Sequence, residues 1–337
     1  MKRILVTGGT GYIGSHACLE LLLADYEVIA IDNLSNSSEE SLKRVRNITN
    51  KDLIFHKVDL LDKQELNKVL SKYKVDAVIH FAGLKAVGES VELPLKYYFN
   101  NVVGTLNLCE AMIKNNVKTI VFSSSCTVYG VQEKMPLKED CPLQPCNPYG
   151  RSKRDVEEIL NDIYNMDTSW NIVLLRYFNP VGAHGSGQIG ESPLGTPNNL
   201  LPYIAQVAVG KLPELHVFGD DYPTSDGTGV RDYIHVVDLS RGHIRALESK
   251  ISGSGMHTYN LGTGKGCSVF EMISAFEKVS GKKINFQIND RRSGDSAICY
   301  ADSQKAQKEL GWAAEYDIEK MCEDAWHWQS CNPNGYE

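Results

Sequence analysis

The stretch Ile4-Leu5-Val6-Thr7-Gly8-Gly9-Thr10-Gly11-Tyr12-Ile13-Gly14 decides the fold of this 337-residue chain. A short apolar run leads into a glycine loop, and a leucine-rich helical pattern follows it. The glycines at 8, 11 and 14 are spaced one residue wider than in the commoner dinucleotide-binding motif. Glycine lets the backbone approach a pyrophosphate, and the helix N-terminus offers unpaired N–H groups. The stretch predicts a dinucleotide-binding strand–turn–helix; a tight turn without a ligand is the alternative.

The second strand pattern, 27–31, ends on Asp32. An acid about 20 residues past such glycines accepts hydrogen bonds from the ribose hydroxyls of adenosine and repels a 2′-phosphate. No arginine follows immediately that would bind such a phosphate. We therefore expect NAD rather than NADP, the alternative being that Asp32 is an ordinary loop acid.

Strand and helix patterns then alternate along the chain. Apolar strand patterns occur at 53–55, 77–83, 119–122 and 172–176, and helical patterns at 63–72, 95–115 and 149–164. This alternation predicts an α/β fold with a doubly wound, parallel Rossmann-type sheet that binds ligands at the carboxyl ends of its strands. His80 lies inside a strand pattern and is expected to be a hydrogen-bonded core residue.

The regular alternation fails after Arg176. A loop rich in Gly, Pro, Ser and Asn covers 180–202, and strand patterns follow at 230–236 and 257–261. Helical patterns begin at Asp238 and span 269–280 and 318–328. We expect a smaller C-terminal α/β domain here. The predicted division is an NAD-binding domain of 1–180, to which 231–262 returns, and a substrate domain of 181–337.

Tyr149 and Lys153 stand four residues apart in a helical pattern, which stacks both side chains on one helix face. A phenol has a reference pKa of about 10, and a nearby ammonium favours its ionised form. The pair therefore predicts a proton-transfer device, although the same spacing also arises by chance in many helices. Ser125 ends a neighbouring strand pattern, where a hydroxyl could assist.

The composition excludes several classes of function. The formal net charge is -7 and no basic face is evident, which argues against nucleic acid as a partner. No apolar run approaches the roughly 20 residues of a membrane span, and the N-terminus lacks the apolar length of a signal peptide. The nine cysteines are scattered without zinc-ligand spacing, so we expect no metal and a reducing, cytoplasmic setting.

Five stretches together resemble the extended short-chain dehydrogenase/reductase family over essentially the whole chain. They are the glycine loop 7–14, His80-Phe81-Ala82-Gly83-Leu84-Lys85-Ala86-Val87-Gly88-Glu89-Ser90, 177–183, 227–235 and Trp326-His327-Trp328-Gln329. The stretches around Lys85 and Arg231 are the more selective ones and are similar to the branch that epimerises UDP-hexoses. The resemblance implies interconversion of UDP-glucose and UDP-galactose: oxidation at sugar C4 with bound NAD+, rotation of the 4-keto sugar, and reduction on its other face.

The resemblance also implies roles for individual residues. The implied catalytic residues are Tyr149 as base, Lys153 and Ser125. The implied cofactor-binding residues are Gly8, Gly11, Tyr12, Ile13, Gly14, Asp32, Asn33, Asn36, Ser37, Asp59, Leu60, Phe81, Ala82, Gly83, Lys85, Asn100, Ser123, Tyr149, Lys153, Tyr177 and Phe178. The implied substrate-binding residues are Lys85, Ser125, Tyr149, Asn179, Asn199, Leu200, His216, Val217, Phe218, Arg231, Tyr233, Arg292, Asp295 and Cys299.

Among the substrate residues, Arg231 and Arg292 suit a diphosphate because guanidinium groups bind phosphate in bidentate fashion. Asp295 can accept hydrogen bonds from the uridine ribose. Surface ion pairs are the alternative for both arginines. Cys299 stands where many bacterial epimerases have tyrosine, so we expect a pocket wide enough for 2-acetamido sugars. Alternatively, Cys299 is filler and Tyr300 closes the gap.

Three rival functions would use the same fold. A nucleotide-sugar 4,6-dehydratase needs an acid pair after its catalytic Ser or Thr, where this chain has Cys126-Thr127-Val128. A net dehydrogenase would release its cofactor at each turnover. A regulatory dinucleotide sensor often lacks the tyrosine or the lysine, and this chain has both.

The resemblance also implies an oligomeric state. Members of the epimerase branch are commonly homodimers, so we expect a homodimer whose subunits meet through the helices at 95–115 and 149–164.

Overall fold

The computed structural model describes residues 2–251, 253–292 and 294–337, which form two compact units. The first unit contains Met1–Gly130, Pro142–Arg176 and Ser240–Tyr259. The second contains Val131–Cys141, Tyr177–Leu239 and Asn260–Glu337. The assignment of an NAD-binding and a substrate domain, with the boundaries given above, remains a prediction.

The secondary structure of the described residues alternates as the sequence predicts. In chain order the strands are β1 (Arg3–Thr7), β2 (Glu27–Asp32), β3 (Ile54–Lys57), β4 (Ala77–His80), β5 (Thr119–Ser125), β6 (Asn171–Tyr177), β7 (Asn179–Val181), β8 (Leu215–Phe218), β9 (Val230–Arg231), β10 (Tyr233–His235), β11 (Gly255–Leu261), β12 (Cys267–Ser268), β13 (Phe286–Asn289) and β14 (Ile298–Cys299). The α-helices are α1 (Tyr12–Leu23), α2 (Glu40–Thr49), α3 (Lys63–Tyr73), α4 (Val87–Glu92), α5 (Pro94–Tyr97), α6 (Gly104–Lys114), α7 (Pro148–Met166), α8 (Leu200–Ala208), α9 (Val236–Lys250), α10 (Val269–Ser280), α11 (Gln304–Leu310) and α12 (Ile318–Cys331).

The central sheet has the strand order β11-β6-β5-β4-β1-β2-β3. β1 pairs in parallel with β2 and with β4, and the pairs β2–β3 and β4–β5 are also parallel. The central strands β1, β4, β5 and β6 are buried along nearly their whole length, and Leu5, Val78 and Ile120 are fully buried, as expected where helices cover both faces of a parallel sheet. The order 3-2-1-4-5-6 is that of dinucleotide-binding folds, with the switch point between β1 and β4. The predicted fold class is confirmed.

Local capping explains where several helices begin. The Asp62 side chain accepts hydrogen bonds from two backbone amides of α3. The Asn147 side chain accepts from Gly150 N at the start of α7, whose first residue is Pro148. Ser268 and Glu271 form a reciprocal capping box on α10. Each cap satisfies amides that the helix itself leaves unpaired, which fixes where the helix starts.

Two predicted elements are wrong in detail. The single helix expected over 95–115 is α5, then a π-helical segment (Tyr98–Val103), then α6. The strand expected over 230–236 is broken at Asp232 into β9 and β10, and α9 begins at Val236. The break at Asp232 separates β9, which pairs with β12 and β14, from β10, which pairs with β7, and the buried Asp232 carboxylate accepts hydrogen bonds from Thr263 and Ala301.

The second unit is a mixture of short sheets and helices around its own core. Its small sheets are β10–β7, β12–β9–β14 and β13–β8. Met272 and Phe276 of α10 and Met321 of α12 are fully or almost fully buried in this core. Among the described residues, no helix is both long and apolar enough to cross a lipid bilayer.

His80 lies in a buried chain of hydrogen bonds whose direction is fixed. Thr105 Oγ1 donates to the Asn101 carbonyl at 2.6 Å, so it accepts from His80 Nε2 at 2.8 Å. His80 Nδ1 therefore accepts from Thr7 Oγ1 at 2.6 Å, and Thr7 accepts from Ala82 N at 3.2 Å. Burial, with a smaller effect of the Lys153 charge, lowers the pKa of His80 to about 3. The prediction of a hydrogen-bonded core histidine is confirmed.

Candidate active site

The glycine loop between β1 and α1 is packed without room for side chains. Gly8 has φ +69, and a Cβ there would lie 2.8 Å from Ala82 N. A Cβ on Gly14 would lie 2.0 Å from the carbonyl oxygen of Gly8. The spacing of the glycines is therefore required by contacts between the loop, the first turn of α1 and the end of β4.

Helix α1 presents its N-terminal amides after Gly11, which is the N-cap. Gly11 has no side chain with which to cap these amides, and the first turn, which holds Tyr12 and Ile13, carries no acidic residue. Uncapped amides and the positive end of the helix dipole suit a phosphate group. The predicted residues of this turn therefore fit the pyrophosphate of a dinucleotide.

Asp32 ends β2 beside the glycine loop. Its carboxylate accepts from Thr10 N at 3.2 Å, Leu34 N at 2.9 Å and Ser37 Oγ at 3.0 Å. Thr10, which the sequence analysis did not single out, also bonds Ser37 through its hydroxyl at 2.6 Å. This geometry holds an acceptor where an adenosine ribose would lie after the glycine loop.

Further predicted cofactor residues lie at the ends of β3 and β4. Asp59 accepts from Asn33 Nδ2 at 2.9 Å and from Leu61 N at 2.8 Å. The remaining residues of this group differ in burial. Asn36, Gly83 and Lys85 are exposed, Phe81, Ala82 and Asn100 are half-buried, and Leu60 is buried. Parallel neighbours β1 and β4 bring the glycine loop and 81–83 together, as the sequence predicts.

The predicted catalytic residues come from two neighbouring elements of the first unit. Helix α7 carries Tyr149 and Lys153 one turn apart, and both side chains are buried. Lys153 Nζ donates to the carbonyl oxygen of Ser123 at 2.8 Å, at the end of β5. Ser125 ends the same strand, and its Oγ accepts from Thr127 N at 3.2 Å. The lysine thus ties the helix that bears the tyrosine to the strand that bears the serine.

The ammonium of Lys153 lies in an apolar setting. It is 4.9 Å from the centroid of the Phe122 ring. Burial lowers the pKa of Lys153 to about 8, while the charge of Glu157 acts in the opposite direction. At neutral pH the lysine is therefore charged, at a cost to folding that the structure tolerates.

This cost predicts a pH-dependent stability difference. Below pH 8 both the folded and unfolded chains carry the proton on Lys153, and the folded chain bears the full cost of burying it. Between pH 8 and 10.5 the unfolded chain binds more protons, so the wild type gains stability as pH rises. In protein freed of nucleotide, we expect Lys153→Met to be more stable than wild type by about 2 kcal/mol at pH 7 and by much less near pH 10.

Urea unfolding at the two pH values measures this difference. Lys282→Met, at an exposed lysine, is the control and should differ from wild type equally at both pH values. A Lys153→Met difference that did not change with pH would contradict the assigned cause.

Two further buried charges lie next to the catalytic residues and were not predicted. Glu157 follows Lys153 by one more helical turn, and its carboxylate binds Arg176 of β6, with Nη2 to Oε2 at 2.6 Å. The sequence contained a signal for Glu157, since the spacing of four residues continues from Tyr149 through Lys153. It contained none for Arg176, whose contact depends on strand order.

The predicted diphosphate-binding residues come together within the second unit. Arg231 of β9 and Arg292 both bind the carboxylate of Asp295, at 3.6 Å and 3.0 Å. The guanidinium of Arg292 also lies 4.8 Å from the ring centroid of Phe218. Cys299 of β14 is the direct register partner of Arg231. Two guanidinium groups, one carboxylate and one aromatic ring thus form a cluster suited to a nucleoside diphosphate.

The other predicted substrate residues of this unit lie on its strands and on α8. Asn199 is the N-cap of α8, which begins at Leu200, and it donates to Glu191 Oε1 at 3.0 Å. His216 contacts Asn289 Oδ1 at 3.3 Å. The remaining predicted substrate positions are Asn179 on β7 and the buried residues Val217 and Tyr233. Half-buried Tyr177 and buried Phe178, which were predicted to bind the cofactor, also belong to this unit. Buried Val217 belongs to the core, so a ligand could reach only its backbone.

Asp232 supports this cluster and was missed by the sequence analysis, which quoted it only as part of a motif. Its carboxylate accepts from Thr263 N and Oγ1 at 2.9 and 2.6 Å, from Gly264 N at 3.0 Å and from Ala301 N at 3.1 Å. These bonds join β9 to the segment that follows β14. They hold the backbone positions of Arg231 and Cys299 side by side.

The described residues contain no group of three His, Cys, Asp or Glu side chains that could hold a metal ion. A sheet of this strand order, with Tyr149 and Lys153 one turn apart beside the end of β5, is the arrangement of short-chain dehydrogenases/reductases. Comparison with known proteins gives the branch of that class.

Residues 5–325 match the family model described as GDP-mannose 4,6 dehydratase. The UDP-glucose 4-epimerase of Bacillus subtilis (strain 168) is 62% identical over 99% of this chain and 98% of its own length. That of Drosophila melanogaster is 57% identical over 99% of this chain and 98% of its own. The crystal structure of the Bifidobacterium longum UDP-glucose 4-epimerase, in complex with NAD+ and UDP, is 53% identical, has a TM-score of 0.97, and covers 99% of this chain and 100% of that one. The chain belongs to the UDP-glucose 4-epimerase family.

Proposed function

We propose that this protein interconverts UDP-glucose and UDP-galactose by reversible oxidation at sugar C4. The observation that carries the proposal is the buried pair Tyr149 and Lys153 on α7, whose lysine is bonded to the strand end that carries Ser125. The reaction is an isomerisation with no net redox change. An enzyme that performs it needs one group that removes a proton and later returns it.

NAD fits the glycine loop, the uncapped start of α1 and the carboxylate of Asp32. When bound, the cofactor would supply the hydride acceptor for oxidation at sugar C4 and, in its reduced form, the hydride donor for the return step. Asp32 favours the unphosphorylated ribose, because a 2′-phosphate beside this carboxylate would be repelled.

Tyr149 takes the proton of the sugar 4-hydroxyl and returns it when the 4-keto sugar is reduced. Lys153 stabilises the phenolate form of Tyr149 through its positive charge, which makes the tyrosine a competent base near neutral pH. Ser125 holds the sugar oxygen by its hydroxyl. Because proton removal and return use the same residues, neither direction of the reaction is favoured by them.

The uridine diphosphate is bound by Arg231 and Arg292, with Asp295 accepting from the uridine ribose. In the structure the two guanidinium groups share the Asp295 carboxylate, and a diphosphate would replace part of these contacts. In this proposal the sugar is anchored chiefly through the diphosphate and the reacting oxygen. It can therefore rotate between the oxidation and reduction steps.

The deciding experiment is a coupled assay of UDP-galactose conversion with purified protein, together with measurement of bound NAD and of free reduced cofactor. We expect conversion to UDP-glucose without release of reduced cofactor. Net accumulation of reduced cofactor would indicate a dehydrogenase, and loss of water from the sugar would indicate a dehydratase. Well-folded, NAD-loaded protein without turnover would support a regulatory sensor instead.

Cys299 carries a prediction about the sugar. It lies beside Arg231 in register, whereas the ring of Tyr300 approaches Gly266. A cysteine there leaves space that a tyrosine would fill, so we propose that UDP-N-acetylglucosamine and UDP-N-acetylgalactosamine are also interconverted. We expect Cys299→Tyr to lose turnover of the acetamido pair by about a hundredfold and to keep that of UDP-galactose within about threefold.

Side-by-side assays of both sugar pairs in wild type and Cys299→Tyr measure this. Cys299→Ser, which preserves the volume, is the matched control and should retain both activities. Wild-type protein that does not convert the acetamido pair would refute the wider specificity while leaving the proposed epimerase activity intact.

We also propose a homodimer in the cytoplasm. Val91, Leu95 and Phe99 repeat every four residues along successive helical segments and are 60% exposed or more. Such an apolar stripe suits contact with a second copy of the chain. Light scattering should give the mass of a dimer for wild type and of a monomer for Leu95→Glu. All nine cysteines are free, which suits a reducing compartment.

A further inference from the structure

Glu157 continues the spacing of Tyr149 and Lys153 along α7, so the three buried side chains occupy one face of the helix. A lysine and a glutamate four residues apart on a helix normally attract each other and pair. Here each is bonded to a neighbouring strand. Lys153 donates to Ser123 O at 2.8 Å, and Glu157 is bound by residues of β5 and β6.

Arg176 occupies most of the Glu157 carboxylate. Its Nε lies 3.0 Å from Oε1 and 3.2 Å from Oε2, and its Nη2 lies 2.6 Å from Oε2. Nη1 of the same guanidinium donates to the Tyr129 hydroxyl at 3.2 Å. Both partners are almost fully buried, with side-chain exposures of 7% and 4%. A buried carboxylate bound in this bidentate manner is not available to a second cation.

Consecutive residues of β5 anchor the same helix face. The carbonyl of Ser123 binds Lys153, and the hydroxyl of Ser124 donates to Glu157 Oε1. Ser125, the next residue, is the proposed catalytic hydroxyl. Two bonds one helical turn apart therefore set the position of α7 along the end of β5.

We propose that Glu157 and Arg176 are positioning residues for the reaction: Arg176 withholds the Glu157 carboxylate from Lys153, so that the ammonium stays on Ser123 and acts on Tyr149. Ser124 links this ion pair to the strand that ends at Ser125. The inference rests on the proposed function, in which Lys153 stabilises the ionised tyrosine.

Among the described residues, the charged and titratable groups around Lys153 come from three elements. Tyr149 and Glu157 lie on its own helix, neutral His80 comes from β4, and Arg176 comes from β6. Strand β5 and the π-helical segment 98–103 contribute only uncharged residues. Without Arg176, Glu157 would still have Lys153 one helical turn away on α7, and its charge already acts on that lysine. Pairing with Glu157 would weaken the effect of Lys153 on Tyr149 and raise the pKa of the phenol.

The experiment compares Arg176→Met with the double variant Arg176→Met/Glu157→Gln, from which both charges are removed. We expect Arg176→Met to lower kcat at pH 7 about tenfold and to shift the acidic limb of the kcat profile up by about one pH unit. The double variant should restore both values to near wild type. KM for UDP-galactose should change less than about threefold, since the proposed diphosphate-binding residues are unaltered.

A second readout does not depend on turnover. The ionisation of Tyr149 can be followed as the part of the phenolate absorbance that is lost in a Tyr149→Phe background. The pH at which this absorbance appears should be higher in Arg176→Met than in wild type. The proposal would be overturned if the single and double variants lost kcat equally and if neither the acidic limb of the kcat profile nor the phenolate titration changed. The ion pair would then have only a structural role.

Ser124→Ala tests the anchor with little risk to folding. We expect kcat to fall about fivefold while the melting temperature changes no more than in Ser90→Ala, a buried serine bonded only within its own helix region. Wild-type activity in Ser124→Ala would overturn the role of this anchor. Absence of turnover in the wild type itself would instead refute the proposed function, so the two failures are distinguishable.

Discussion

Tyr149→Phe should lower kcat by about a thousandfold while leaving NAD content and KM for the UDP-sugar nearly unchanged. The side chain is only 8% exposed, so a phenylalanine keeps most of its packing and removes the hydroxyl alone. Without a base, the proton of the 4-hydroxyl has no acceptor beside Lys153. The residual turnover should also lose the acidic limb of its pH dependence.

Steady-state assays with UDP-galactose across pH 5 to about 9, together with the absorbance of bound cofactor, measure this effect. Tyr164→Phe is the matched control, because Tyr164 lies on the same helix and packs against the core of the first unit. The control should retain full activity. Near-normal turnover in Tyr149→Phe would mean that another group is the base.

Gly14→Ala should reduce NAD affinity by a hundredfold or more, roughly the 3 kcal/mol expected for a displaced binding loop. The added Cβ would lie 2.0 Å from Gly8 O, 2.9 Å from Gly8 C and 3.0 Å from Gly9 Cα. All three are backbone atoms, so the whole loop must shift relative to α1. The amides that suit the pyrophosphate would then be misplaced.

The NAD content of purified protein and titration of stripped protein with NAD measure the loss. Gly88→Ala is the matched control, since a Cβ at this position of α4 meets nothing within 4 Å. It should bind NAD normally and be slightly more stable, because alanine favours a helix by about 0.5–1 kcal/mol over glycine. Normal NAD binding by Gly14→Ala would contradict the proposed cofactor site.

The features that were predictable from sequence depend on short segments. Each of these features belongs to one strand or helix and the turn next to it. They are the glycine spacing after β1, the acid that ends β2, and the pair Tyr149 and Lys153. Parallel pairing then follows from the alternation of buried strands and helices. The family resemblance supplied the expectation that Arg231, Arg292 and Asp295 act together, and the structure brings all three into one cluster.

The features that were missed depend on contacts between distant segments. The π-helical segment 98–103 keeps a helical apolar pattern, so periodicity could not separate it from α5 and α6. Asp232 looks like part of a strand until Thr263 and Ala301 are known to bind its carboxylate. In the sequence, Arg176 is simply the charged residue near the end of an apolar strand. Its partner Glu157 becomes evident only when α7 is seen to pack beside β6.

The hydrogen-bond chain through His80 limits how this sequence can change. Its direction is set at one end by the amide of Ala82 and at the other by the carbonyl of Asn101. Thr7, His80 and Thr105 each accept one proton and donate one along this chain. A replacement at any of them that cannot do both leaves two neighbours unsatisfied in the core. Substitutions that remove the donor or the acceptor at any of these positions should therefore be tolerated only in combination, which couples the strand before the glycine loop to the helix that carries Thr105.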